Sequence, residues 1–165
     1  MKILKNFLQT TLLLVIGTAT CLHIASAQET EKETKIKNLI GSGNYVFEAQ
    51  SALPSRGQVR QLTYGYEIRV SKDTLISYLP YFGRAYVAPV DPSEGGYNFT
   101  STDFEYNVKE GKKGGWDVSI QTKDQRDNKK MALKIQESGY ASLQVTSNDR
   151  QPISYNGIIT AVKKK

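Results

Sequence analysis

The chain has 165 residues with a formal net charge of +6, and its one Cys and one His, Cys21 and His23, both fall within the first 27. Removing 27 of the 165 leaves 138 residues, enough for one domain with a self-sufficient core, but with no thiol nucleophile, disulfide, imidazole base or thiolate ligand for zinc. With Lys2 and Lys5 gone, Lys and Arg fall from 22 to 20 against 16 Asp and Glu, so the charge of +4 reads as a solubility feature and not as a nucleic-acid footprint.

Residues 1–27 read as a secretory signal peptide. Lys2 and Lys5 precede the apolar run Leu12–Ile16, and Ala25-Ser26-Ala27 supplies the small-x-small cleavage site. A membrane anchor fits less well, because Gly17, Thr18, Thr20 and His23 break the run before the roughly 20 residues a spanning helix needs. Thr18-Ala19-Thr20 lacks the pattern that would mark Cys21 for lipid attachment. Residues 28–165 are then a single β-rich domain, with an N-terminal helix over 28–41 and a sheet over 44–162. The helix has acids near its amino end and a narrow apolar face of Ile36, Leu39 and Ile40, enough to plug one end of a sheet structure.

From Asn44 the hydrophobic period becomes two. Tyr45, Phe47 and Ala49 form one inward set, and Tyr64, Tyr66, Ile68 and Val70 a second after the Pro54–Gly57 turn. Lys72-Asp73 turns into a strand over Thr74–Leu79, which enters the densest aromatic stretch, Tyr78-Leu79-Pro80-Tyr81-Phe82-Gly83-Arg84-Ala85-Tyr86. Val87–Tyr97, with Pro89, Pro92, Gly95 and Gly96, reads as a loop. Strands through Phe104, Tyr106 and Val108, through Trp116, Val118 and Ile120, through Met131–Ile135, through Ala141–Val145 and through Ile153–Ile159 follow at hairpin spacing. The fold class is therefore all-β: an antiparallel meandering sheet of about 8–10 strands, curled into a closed or half-open barrel, with one short N-terminal helix.

At Tyr78–Tyr86, together with Gly139–Asn148 and Arg150–Ser154, the chain resembles the exported Bacteroidetes family known as domain of unknown function 4251. The resemblance implies an exported protein, in the periplasm, associated with the outer membrane or secreted. It brings no catalytic residue with it.

Several chemistries are weighed and set aside. Asp103, Glu105 and Asp117 lie on the polar side of an alternating hairpin, where solvated charges belong, and do not read as a glycosidase pair. Glu110–Gly115 joins two strands and lacks phosphate-loop spacing. No metal or cofactor is expected, and the chain reads as non-enzymatic. Thr74, in Asp73-Thr74-Leu75, is a candidate O-glycosylation site beside its plainer reading as a turn residue. The constellation that stands out is Tyr64, Tyr66, Tyr78, Tyr81, Phe82, Arg84 and Tyr86. It serves either as a site for a small apolar or amphipathic ligand with Arg84 meeting an anionic head group, or as an aromatic core in which Arg84 pairs with an acid or stacks on a ring. The expected function is accordingly an exported binding module, or alternatively an envelope interaction or assembly protein with a filled core and an exposed apolar patch, with no transmembrane anchor once the leader is gone.

Overall fold

The computed structural model describes residues 31–63, 65–87, 95–112, 114–125 and 128–162. The expected leader and Tyr64 lie outside the described residues. Residues 31–42 form a helix, α1. Glu31 and Lys35 pair across one turn at 2.6 Å on its exposed side, and Ile36 and Ile40, four apart, are buried on the other. The helix ends where Gly43 takes a φ of 62° and donates its N–H to Ile40 O at 3.1 Å, the left-handed stop that a glycine permits.

Ten strands follow: β1 (Tyr45–Pro54), β2 (Arg60–Gln61), β3 (Glu67–Val70), β4 (Leu75–Leu79), β5 (Tyr97–Ser101), β6 (Phe104–Glu110), β7 (Trp116–Thr122), β8 (Lys130–Ile135), β9 (Tyr140–Thr146) and β10 (Ile153–Thr160). Their order is β5-β4-β3-β1-β10-β9-β8-β7-β6, with β2 on β1 off this path, and every strand pairing is antiparallel. Two meanders, β1 to β5 and β6 to β10, are thus stitched together by the β1–β10 pair. The result is an antiparallel sheet curled into a nearly closed barrel with one seam and one short helix, in keeping with the fold class read from the sequence.

Alternation places the core. In β8 and β9, Met131, Leu133, Ile135, Ala141, Leu143 and Val145 are buried while every residue between them is exposed. β1 changes phase partway: Ala49 pairs with Gly157 and Ser51 with Asn156, so Gln50 is an extra residue in a bulge. Before it the odd-numbered Tyr45, Phe47 and Ala49 face the core; after it Ala52 does. The barrel interior is filled by side chains, with Tyr45, Tyr97, Tyr155, Phe47, Leu75 and Leu79 all fully buried. α1 docks Ile36 against the β8–β9 turn, where Ile36 Cδ1 lies 3.0 Å from the position a Cβ would take on Gly139.

The seam lies between β5 and β6, which only Thr102 and Asp103 separate in sequence. Consecutive antiparallel pairings along the order leave these two strands pointing the same way, so the chain runs on from one into the other without a hairpin. Tyr97, expected to close a loop, instead opens β5. Val108, in phase with the buried Val118 across the β6–β7 pair, is 39% exposed because no strand follows β6 on its other side.

Asp124 fastens the corner. Its carboxylate accepts from Ser101 Oγ at 2.5 Å, Thr102 N at 2.8 Å and Asp103 N at 3.3 Å. Those donors, the Ser101 hydroxyl first and the Thr102 amide next, lower its pKa from 3.8 to about 2. A carboxylate whose folded pKa is depressed stabilises the fold above its unfolded pKa and ceases to as pH falls through the folded one. Stability should therefore decline between about pH 4 and pH 2 in part through Asp124. Asp124→Asn is expected to flatten that segment of a denaturation-midpoint-against-pH curve; a variant curve parallel to wild type would remove Asp124 from the account.

Candidate functional site

The aromatic stretch divides between the two faces of the barrel wall. On β4, Leu79 points inward and is fully buried, while Tyr78 is 52% exposed and stacks on Tyr66 with ring centroids 5.6 Å apart and planes at 16°. Beyond Pro80 the chain folds over the barrel mouth. Tyr81 meets Tyr97 edge-on at 5.8 Å, and its hydroxyl is within donor range of Arg84 O at 2.9 Å and Gln151 O at 3.1 Å. Gly83 makes room for this ring, since a Cβ there would fall 2.5 Å from the Tyr81 hydroxyl oxygen. Phe82 lies under the Arg60 guanidinium at 4.8 Å, and Tyr86, 62% exposed, donates its N–H to Asp149 O at 2.7 Å.

Arg84 is exposed, and its carbonyl accepts from Gln151 N at 3.1 Å. The cation amid the rings is Arg150, which is only 8% exposed and sits 5.0 Å from the Tyr81 ring and 5.1 Å from the Tyr97 ring. All three guanidinium nitrogens are engaged, Nε and Nη2 with the two oxygens of Asp149 and Nη1 with Gly96 O, each at 3.2 Å. Arg150 thus ties the Tyr81–Tyr86 segment and the start of β5 to the β9–β10 connection. Its importance is hidden in the sequence by the distance in chain from the rings it serves. The signal that points to it is the acid beside it in the turn Asn148-Asp149-Arg150.

The phenols around it stay protonated. Burial raises the pKa of Tyr155, whose hydroxyl donates to Pro80 O at 2.7 Å, and likewise that of Tyr81. Tyr97 is pushed up to about 12 by burial, against smaller lowering effects from Ser147 and Arg150. Among the described residues its hydroxyl is the one buried side-chain polar atom outside hydrogen-bond geometry; Ser147 is near enough to influence it but gives its own hydroxyl to Asp149 Oδ1 at 2.6 Å. High-pKa phenols and a fully engaged guanidinium make a latch.

Elsewhere, Thr74 sits in the tight β3–β4 turn, its hydroxyl 3.2 Å from Asp73 Oδ1 and its carbonyl accepting from Ser71 N at 2.9 Å. Glu105 is ion-paired to Lys123 at 2.8 Å, and Asp117 lies in register with Lys109 and Lys134. No group of three His, Cys, Asp or Glu residues able to hold a metal is present among the described residues, and no helix there is long and apolar enough to cross a membrane.

The barrel is similar to the crystal structure of a DUF4251 family protein from Bacteroides eggerthii DSM 20697, with a TM-score of 0.60 over 82% of this chain and 91% of that one. At 13% identity the likeness is one of fold. No curated protein matches the chain. The family model for the domain of unknown function DUF4251 matches residues 27–159, and the chain belongs to that family.

Proposed function

We propose that this is an exported, non-enzymatic binding module that meets an envelope protein partner through the outside of its barrel. The observation that carries the reading is the filled interior: Tyr45, Phe47, Tyr97 and Tyr155 occupy the space in which a barrel of this kind would hold a ligand. What the interior cannot receive, the outer surface offers. Ile76 and Tyr78 project from β4 at 43% and 52% exposure, Tyr66 stacks beside them, and Tyr86 and Val87 extend the apolar surface at the mouth. The leader pattern supports export, and the loss of Cys21 and His23 with it supports a role without catalysis.

Native mass spectrometry of the mature protein, purified gently from its envelope, tests this first. A mass without a bound small molecule is expected; a lipid at one-to-one ratio would replace the surface reading with a carrier. The double variant Ile76→Ala/Tyr78→Ala, at the two exposed positions of β4, then addresses the patch. It is expected to keep the wild-type unfolding midpoint within a few degrees yet weaken partner capture by about 30-fold or more, as truncation of anchor side chains does at interfaces. Undiminished capture would remove the β3–β4 face from the interaction.

A further inference from the structure

On the other side of the β1–β10 pair, a concavity of about 760 Å³ crosses the outer surface of β7, β8, β9, β10 and β1. It falls within the ~300–1,000 Å³ range of small-molecule sites. Small residues, Gly157, Ala141 and Ser142, lie in its lining together with the exposed ring of Tyr140. Tyr140 is 58% exposed and its ring carries Lys32 from α1 at 5.8 Å, while Trp116 is half-buried against the core. The bulge described above contributes as well: Gln50, the residue it leaves without a cross-strand partner on β10, lines the same groove.

Most of the polar lining is unused by the fold. Among the described residues, the side chains of Gln50, Asn156, Ser142, Lys134 and Asp117 make no hydrogen bond or ion pair. Asp117 and Lys134 are direct register partners of opposite charge on neighbouring strands, yet they do not bridge. Two carboxamides, a hydroxyl, a cation and a carboxylate therefore offer both donors and acceptors beside an aromatic face. A purely apolar ligand would strand those groups, and a simple anion would face Asp117. A molecule bearing several hydroxyls, each able to donate and accept, with a flat C–H face to lay on a ring, matches both halves of the lining.

We infer that this groove is a binding site for a short saccharide, held by stacking on Tyr140 and by hydroxyl contacts to Gln50, Asn156, Ser142, Asp117 and Lys134. The mature protein should be screened on an array of neutral and acidic oligosaccharides, with hits titrated by calorimetry. Binding in the ~10 µM to 1 mM range is expected, with affinity little changed by added salt because the contacts are mainly neutral. Tyr140→Ala should weaken it at least about tenfold, Tyr140→Phe should retain most of it, and Tyr78→Ala, on the β3–β4 face, should leave it unchanged. Tyr140 is exposed enough that its truncation leaves the barrel folded, which an unchanged circular dichroism melt would verify. No binding of any array member at ~10 mM, binding that collapses with salt, or equal affinity in Tyr140→Ala would each overturn the assignment.

Discussion

Arg150→Ala is expected to lower folding stability by about 3–4 kcal/mol, among the larger effects of any single substitution here. The guanidinium lies against both the Tyr81 and Tyr97 rings, and its removal leaves Asp149 and the Gly96 carbonyl without their donors. In a chain of this size the loss should lower the thermal midpoint by roughly 10 °C. Arg150→Lys should recover little. An ammonium has no plane to lay against a ring, and it cannot reach both Asp149 oxygens and Gly96 O in the fork that a guanidinium presents. Equilibrium urea denaturation of the three proteins settles the matter: a midpoint for the lysine variant near wild type would mean that charge alone, and not the stacked fork, holds the barrel mouth.

Gly157→Ala should be at least as damaging, by about 3 kcal/mol or more, for a reason with no chemistry in it. A Cβ on Gly157 would sit 2.0 Å from Glu48 O and 2.9 Å from Glu48 C, all backbone atoms that no rotamer change can move aside. The glycine lies opposite Ala49 at the β1 bulge. Relief requires either prying β1 from β10 or sliding one past the other, and a one-residue slip would turn Tyr155 and Ile159 out to water. A crystal structure or amide exchange at 46–54 distinguishes these routes. A variant as stable as wild type, with exchange unchanged along β1, would show that the strands have slack the geometry does not display.

The fold was largely legible because period two survives wherever one face of a strand is buried and the other is wet. Met131–Ile135 and Tyr140–Val145 alternate without a fault, and so do Leu75–Leu79. β5 was not legible: Tyr97 stands at the end of a Gly- and Pro-rich stretch, and Asn98 is a poor strand residue that becomes strand through pairing with β4. The β1 bulge was invisible for a related reason, since an extra residue declares itself only against a partner more than a hundred positions away. The candidate site was read by density, and density does not carry the organisation of these side chains. Tyr78 faces solvent with the half-buried Tyr66 stacked on it, Tyr81 faces the latch, and the buried cation comes from Arg150. Local composition cannot tell Arg84 from Arg150, because which guanidinium reaches the rings depends on where the β9–β10 connection crosses the mouth.

The stitching of the two meanders by β1 and β10 has a kinetic meaning. Val46 aligns with Thr160 and Pro54 with Ile153, so the pair at the centre of the sheet joins the first described strand to the last. During synthesis each meander can form its hairpins as it emerges, but β1 and β9 keep raw inner edges until residues 153–160 arrive. Closing so long a loop makes the final step slow and leaves the growing chain uncommitted until then. A polypeptide built this way stays open while it is being made and becomes a barrel only when residues 153–160 complete the wall.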